Sequence, residues 1–76
     1  MPLKLPRISG AQAVQALERL GFTRIRQRGS HVTLKRSTPN GDVGCVVPLH
    51  PELATGTLRG ILRQAGVTPE EFMESL

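Results

Sequence analysis

Apolar residues recur along this chain with two periods, and the switches between them mark out its elements. Val14, Leu17 and Leu20, with Ala13 and Ala16, fall on one face of a helix. Ser9 precedes that stripe and Gln12 follows three residues on, a capping box in which each side chain satisfies a free backbone N–H. Gly21 suits the left-handed position that stops a helix, and Phe22 can pack back on the last turn. The period then changes from helical to alternating. Residues 22–28, F-T-R-I-R-Q-R, place Ile25 on one side and Arg24, Arg26 and Arg28 on the other. After Gly29, residues 30–36 alternate again, with Val32 and Leu34 sharing one face and His31, Thr33 and Lys35 the opposite one. A turn cluster, S-T-P-N-G-D at 37–42, leads into a β-branched run at 43–48 that stops at Pro48 and Pro51.

A second helix is expected near residues 57–65. Thr55 is its expected N-cap, Leu58, Ile61, Leu62 and Ala65 its apolar stripe, and Gly66 its stop. Thr68-Pro69-Glu70-Glu71 opens a short last helix, with Pro at the first helical position and a second capping box. Phe72, Met73 and Leu76 are its expected apolar contacts. The order α-β-β-β-α plus a terminal helical turn gives an α+β fold. Three consecutive strands joined by short turns make an antiparallel meander, with helices on one face and the other left to solvent or a ligand.

The two arginine- and histidine-bearing strands can be placed in register. If Arg28-Gly29 is a two-residue hairpin loop, Gln27 lies opposite Ser30. Ile25 then faces Val32 and Thr23 faces Leu34 on the core side. Arg26 faces His31 and Arg24 faces Thr33 on the open side, since opposed residues share a face. A bulge would shift these pairs by one residue.

Size and charge narrow the function. With 76 residues the chain is expected to be one domain, residues 1–76, burying ~60% of its unfolded surface. No apolar run approaches the ~18 residues of a membrane span. The opening MPLKLPRISG, with prolines at 2 and 6, lacks the apolar stretch of a signal peptide. Cys45 is the only cysteine, so neither a disulfide nor a cysteine-based metal site is expected, which suits a reducing cytoplasm. The net charge is +4, unevenly spread. Residues 1–66 hold ten basic and three acidic residues, a local +7, whereas Glu70, Glu71 and Glu74 make the last ten residues acidic. A basic body favours a polyanionic partner through counterion release.

A histidine on a basic, uncovered sheet face has the right chemistry for RNA cleavage. RNA carries its own nucleophile, the 2′-OH, and imidazole can remove its proton near neutral pH. Neighbouring guanidinium groups can stabilise charge on the phosphorane oxygens. No carboxylate cluster suggests a metal ion, and no cofactor is expected. The same surface would also serve a non-catalytic RNA-binding module. His50, in P-L-H-P-E-L, is read as a loop contact, a cap for the second helix or a partner acid. Cys45, between valines in a strand, is read as a small core residue rather than a nucleophile. Arg59 and Arg63, four apart on the second helix, are read as a solvated face that can extend a binding track.

Three runs carry a family resemblance: G-F-T-R-I-R-Q-R-G-S-H-V at 21–32, V-P-L-H-P-E-L at 47–53 and G-T-L-R-G-I-L-R-Q-A-G at 56–66, with P-R-I-S-G at 6–10. Together they resemble the HicA toxins, the YcfA-like mRNA interferases, over nearly the whole chain. The resemblance implies a double-stranded-RNA-binding-like fold and a ribosome-independent endoribonuclease that cleaves mRNA. It also implies a HicB-type antitoxin protein that covers the active surface. The single catalytic histidine it implies, after a glycine and a small residue, is His31, which follows Gly29 and Ser30. Where some members have a second histidine directly after the first, this chain has Val32. The expected RNA-binding residues are Arg24, Arg26, Arg28, Ser30 and Lys35.

Overall fold

A computed structural model describes residues 4–76; Pro2, one of the two prolines of the opening segment, lies outside them. The elements run α1 (Gly10–Arg19), β1 (Thr23–Arg28), β2 (His31–Thr38), β3 (Gly41–Pro48), α2 (Thr55–Ala65) and α3 (Pro69–Ser75). This is the α+β order expected from the periodicity.

Helix α1 begins at the expected capping box. The Gln12 N–H donates to Ser9 Oγ at 3.0 Å, and the Ser9 N–H donates to Gln12 Oε1 at 2.9 Å. It ends where Gly21 adopts φ 96°, a conformation glycine enters without a Cβ clash. There the Phe22 N–H donates to Leu17 O and the Gly21 N–H to Glu18 O, which satisfies carbonyls the helix leaves free. Phe22 is buried, and the Arg36 guanidinium sits 4.7 Å from its ring centroid. Arg36 also donates to the Leu20 carbonyl at 3.1 Å, so it closes the helix end from β2.

The three strands form one antiparallel sheet in the order β1-β2-β3. Strands β2 and β3 extend further into the 37–42 segment than turn composition suggested. Only Pro39 and Asn40 form the turn, and Ser37 pairs with Asp42 and Thr38 with Gly41. The Ser37 hydroxyl reinforces that end by donating to the Asp42 carboxylate at 3.1 Å.

Helix α2 starts earlier than expected. Its N-cap is Ala54, with φ −64° and ψ 146° and no side-chain capping bond, so Thr55 lies in the first turn instead of capping it. The cause is the preceding residue: Leu53 is buried and its N–H donates to Ile8 O at 2.7 Å, which fixes where the chain turns into the helix. Gly66, at φ 68°, ends the helix as expected. Helix α3 carries both contacts of the Thr68/Glu71 capping box and has Pro69 in its first turn. It buries Phe72 completely, with Met73 packed at the margin. Leu76 is half exposed instead of packed, because it follows the last helical residue, Ser75.

The core lies between the helices and one face of the sheet. Val32, Leu34, Cys45 and Val47 come from β2 and β3, facing Leu17, Leu58 and Phe72. The helices pack most closely on β3, with the core side of β2 also covered, whereas β1 packs on β2 and is exposed at all six positions. The other face of β2 and β3, which carries His31 and Lys35, is uncovered.

Candidate functional site

The hairpin between β1 and β2 sets the site, and its loop is Gly29-Ser30. Gly29 has φ 59°, while Ser30, like every other non-glycine described, has a negative φ. A glycine in a positive-φ conformation at the first loop position, followed by serine, is the type II′ pattern. That choice moves the loop by one residue from the expected Arg28-Gly29 and each cross-strand partner by two, which keeps the faces and changes the pairs. Arg28 is opposite His31, Gln27 opposite Val32 and Arg26 opposite Thr33. Arg26 therefore does not face His31; Arg28 does.

A second irregularity changes the far end of β1. The pairing jumps between Arg24 and Arg26, so Ile25 is the extra residue of a β-bulge, and Arg24 lies opposite Leu34 and Thr23 opposite Lys35. Three expectations fall with it. Ile25 does not face Val32 in the core; it is 55% exposed. Thr23 does not join Leu34 on the core side. Arg24 does not share the face of His31, and its Nε donates instead to Glu18 of α1 at 3.3 Å.

What remains together is a compact set. His31, Thr33 and Lys35 alternate along β2 on the uncovered face, and opposed residues share a side, which adds Arg28 and Arg26 from β1. His31, Arg26, Arg28 and Lys35 are exposed, as is Ser30 in the loop. From β3, Pro48 lies opposite His31 and Val46 opposite Thr33. Val46 is 42% exposed, so the basic face also carries apolar surface. Near the bulge, Thr23, Ile25, Lys35, Ser37 and Asp42 line a shallow depression.

The segment after β3 is fastened to this site through the backbone. The Leu49 N–H donates to the Ser30 carbonyl at 2.6 Å, one step beyond the His31–Pro48 pair. The Gly10 N–H donates to the His50 carbonyl at 2.9 Å, so the backbone of His50 ties to the start of α1. A Cβ on Gly10 would collide with the Pro48 carbonyl oxygen, so this contact requires glycine. His50 itself is exposed. Arg59 and Arg63 are exposed on α2, outside the sheet face. Cys45 is buried, and burial pushes its thiol up to about 11, so it is not poised as a nucleophile.

The sequence reasoning missed Arg28 as the neighbour of His31. The signal was present, since Gly-Ser is itself a two-residue hairpin loop that needs positive φ only at its glycine. The bulge had no comparable signal: Arg24-Ile25-Arg26 alternates as an ordinary strand.

No helix among the described residues is long and apolar enough to cross a membrane. No curated protein matches the chain. A family model, that of the HicA toxin of bacterial toxin–antitoxin systems, matches residues 10–67, from the first residue of α1 to the residue after the Gly66 stop. That span contains the whole sheet, His31 and the fastened segment around His50, and the chain belongs to the HicA toxin family.

Proposed function

We propose that this toxin is an endoribonuclease that cleaves mRNA without the ribosome, with His31 as the general base. The observation that carries the reading is an exposed histidine opposite an arginine, on the sheet face no helix covers. His31 would take the proton of an RNA 2′-OH, whose oxygen attacks the adjacent phosphorus. Arg28, across the hairpin, would stabilise charge on the phosphorane oxygens. Arg26, Ser30 and Lys35 would hold flanking phosphates, contacts that position a strand without reading its bases. Arg24, paired with Glu18, is assigned no contact beside the scissile phosphate. The protein would act in the cytoplasm, and a HicB-type antitoxin would inhibit it by covering this face.

The test is incubation with RNA, and with DNA of the same sequence, in EDTA, followed by mass spectrometry of the ends. A reaction driven by the 2′-OH leaves cyclic phosphate and 5′-hydroxyl ends on RNA and spares DNA. His31→Ala should abolish cleavage and keep the thermal unfolding transition. Intact RNA with tight, steeply salt-dependent binding would instead make the protein a binding module.

A further inference from the structure

We propose that His50 is the general acid of the same reaction, protonating the 5′-oxygen that leaves; this rests on the reading of His31 as the base. The placement comes from the ladder. His31 lies opposite Pro48, and the Leu49 N–H bond to Ser30 carries the same register one residue further. Val46 is exposed and Val47 buried; Pro48 and Leu49 are both half-buried, Leu49 packed against the core, and His50 is exposed. His50 thus falls on the parity of Val46 and Pro48, the uncovered face that carries His31. It is two residues beyond the partner of His31, past the end of β3 at Pro48, and a ladder continued that far would make the two a diagonal pair about 7–8 Å apart. Two hydrogen bonds of roughly 2.8 Å, with a phosphate between them, span a gap of this size.

The backbone on both sides is held. The His31 end is fixed by the tight Gly29-Ser30 loop, and the His50 end by the bonds Leu49 N–H to Ser30 O and Gly10 N–H to His50 O. A catalytic pair needs that rigidity, because small misplacements cost rate. Neither imidazole has a hydrogen-bond partner among the described residues, so both rings are open to a substrate.

The step balances. Neutral His31 accepts the 2′-OH proton as the 2′-oxygen bonds to phosphorus. The bond from phosphorus to the 5′-oxygen breaks and its electron pair goes to that oxygen. Protonated His50 donates its ring proton there. The products are a 2′,3′-cyclic phosphate and a 5′-OH, and proton exchange with water returns both rings to their starting states.

The experiment uses two RNAs that differ in one atom, oxygen or sulfur at the 5′-bridging position of the cleaved bond. A thiolate leaves without an acid. His50→Gln should cleave the oxygen RNA on the order of 10²-fold more slowly than wild type and the sulfur RNA at close to the wild-type rate. His31→Gln should stay slow on both. His50→Asn should repeat the pattern of His50→Gln, and unfolding curves should overlay wild type. Equal losses on both RNAs, or no loss on the oxygen RNA, would overturn the assignment of His50 and leave His31 standing. Wild-type protein inert toward both RNAs would overturn the ribonuclease reading, and this one with it.

Discussion

The three arginines of β1 look alike in sequence but are divided by the fold. Arg28 lies opposite His31, Arg26 one pair further along the same face, and Arg24 across the bulge in an ion pair with Glu18. Removing a donor that stabilises transition-state charge costs on the order of 10²-fold in rate. Arg28→Ala should therefore slow single-turnover cleavage by about that factor at saturating protein. Arg26→Ala should mainly weaken binding. Arg24→Ala should cleave at close to the wild-type rate and change stability by less than about 1 kcal/mol, because its ion pair is exposed. Equal rate losses for Arg24→Ala and Arg28→Ala would mean that the register does not organise the site. Cys45 gives a second prediction at this scale. Burial raises its thiol from 9.0 to about 11 in the folded state, so folding favours the protonated form. That contribution is complete below pH 9 and is lost as pH rises through about 11. Denaturant midpoints should fall over this window, and Cys45→Ala should flatten the fall. At pH 8 a thiol reagent should label the protein only once it unfolds.

At the scale of elements, Gly10 links the start of α1 to the end of β3. An added methyl group would meet the Pro48 carbonyl oxygen and crowd the backbone of Leu49. Gly10→Ala should thus destabilise the protein by about 1–3 kcal/mol, although alanine normally favours a helix. Because the displaced segment carries His50, activity should fall even at temperatures where the variant is folded. Denaturant titration and cleavage assays on the same samples measure both. Nothing in the sequence announces this contact, since a glycine after Ser9 reads as an ordinary helix start. The elements themselves were legible: the capping boxes at Ser9 and Thr68, and the stops at Gly21 and Gly66, are local chemistry and fall where expected. Pairing was less legible. Alternation in β2 sorts Val32 and Leu34 from His31 and Lys35 because a core covers one side. Alternation in β1 sorts nothing, because every residue there is exposed and no burial penalty pins the register. The bulge at Ile25 uses that freedom. The start of α2 was misplaced for a related reason: Leu53, held to Ile8 across the chain, sets the helix start, and Thr55 had no say in it.

At the scale of the molecule, charge and apolar surface coincide on one face. Residues 1–66 carry +7 and the open side of the sheet carries Arg26, Arg28 and Lys35, while the three glutamates after residue 66 lie on α3. RNA would answer the charge alone. Ile25 and Val46 are large, exposed and on or beside this face, and a polynucleotide backbone has little use for them. A protein partner does: exposed apolar residues rimmed by charge mark protein interfaces, and opposite charge across such an interface steers association. The antitoxin expected from a toxin–antitoxin family should therefore present an acidic surface with an apolar centre to this face. Val46→Asp should then weaken the complex on the order of 10-fold or more, by placing an unpaired charge against the partner's apolar contact. It should leave RNA cleavage less affected than Arg28→Ala does, because Val46 lies opposite Thr33 rather than His31. Raising salt should weaken RNA binding steeply and the protein complex less, since buried apolar area is not screened. Titrating the antitoxin into wild-type and Val46→Asp toxin, with calorimetry for affinity and RNA cleavage for inhibition, tests each part. Unchanged affinity of Val46→Asp, with full inhibition, would place the antitoxin on another face and rule out inhibition by covering His31.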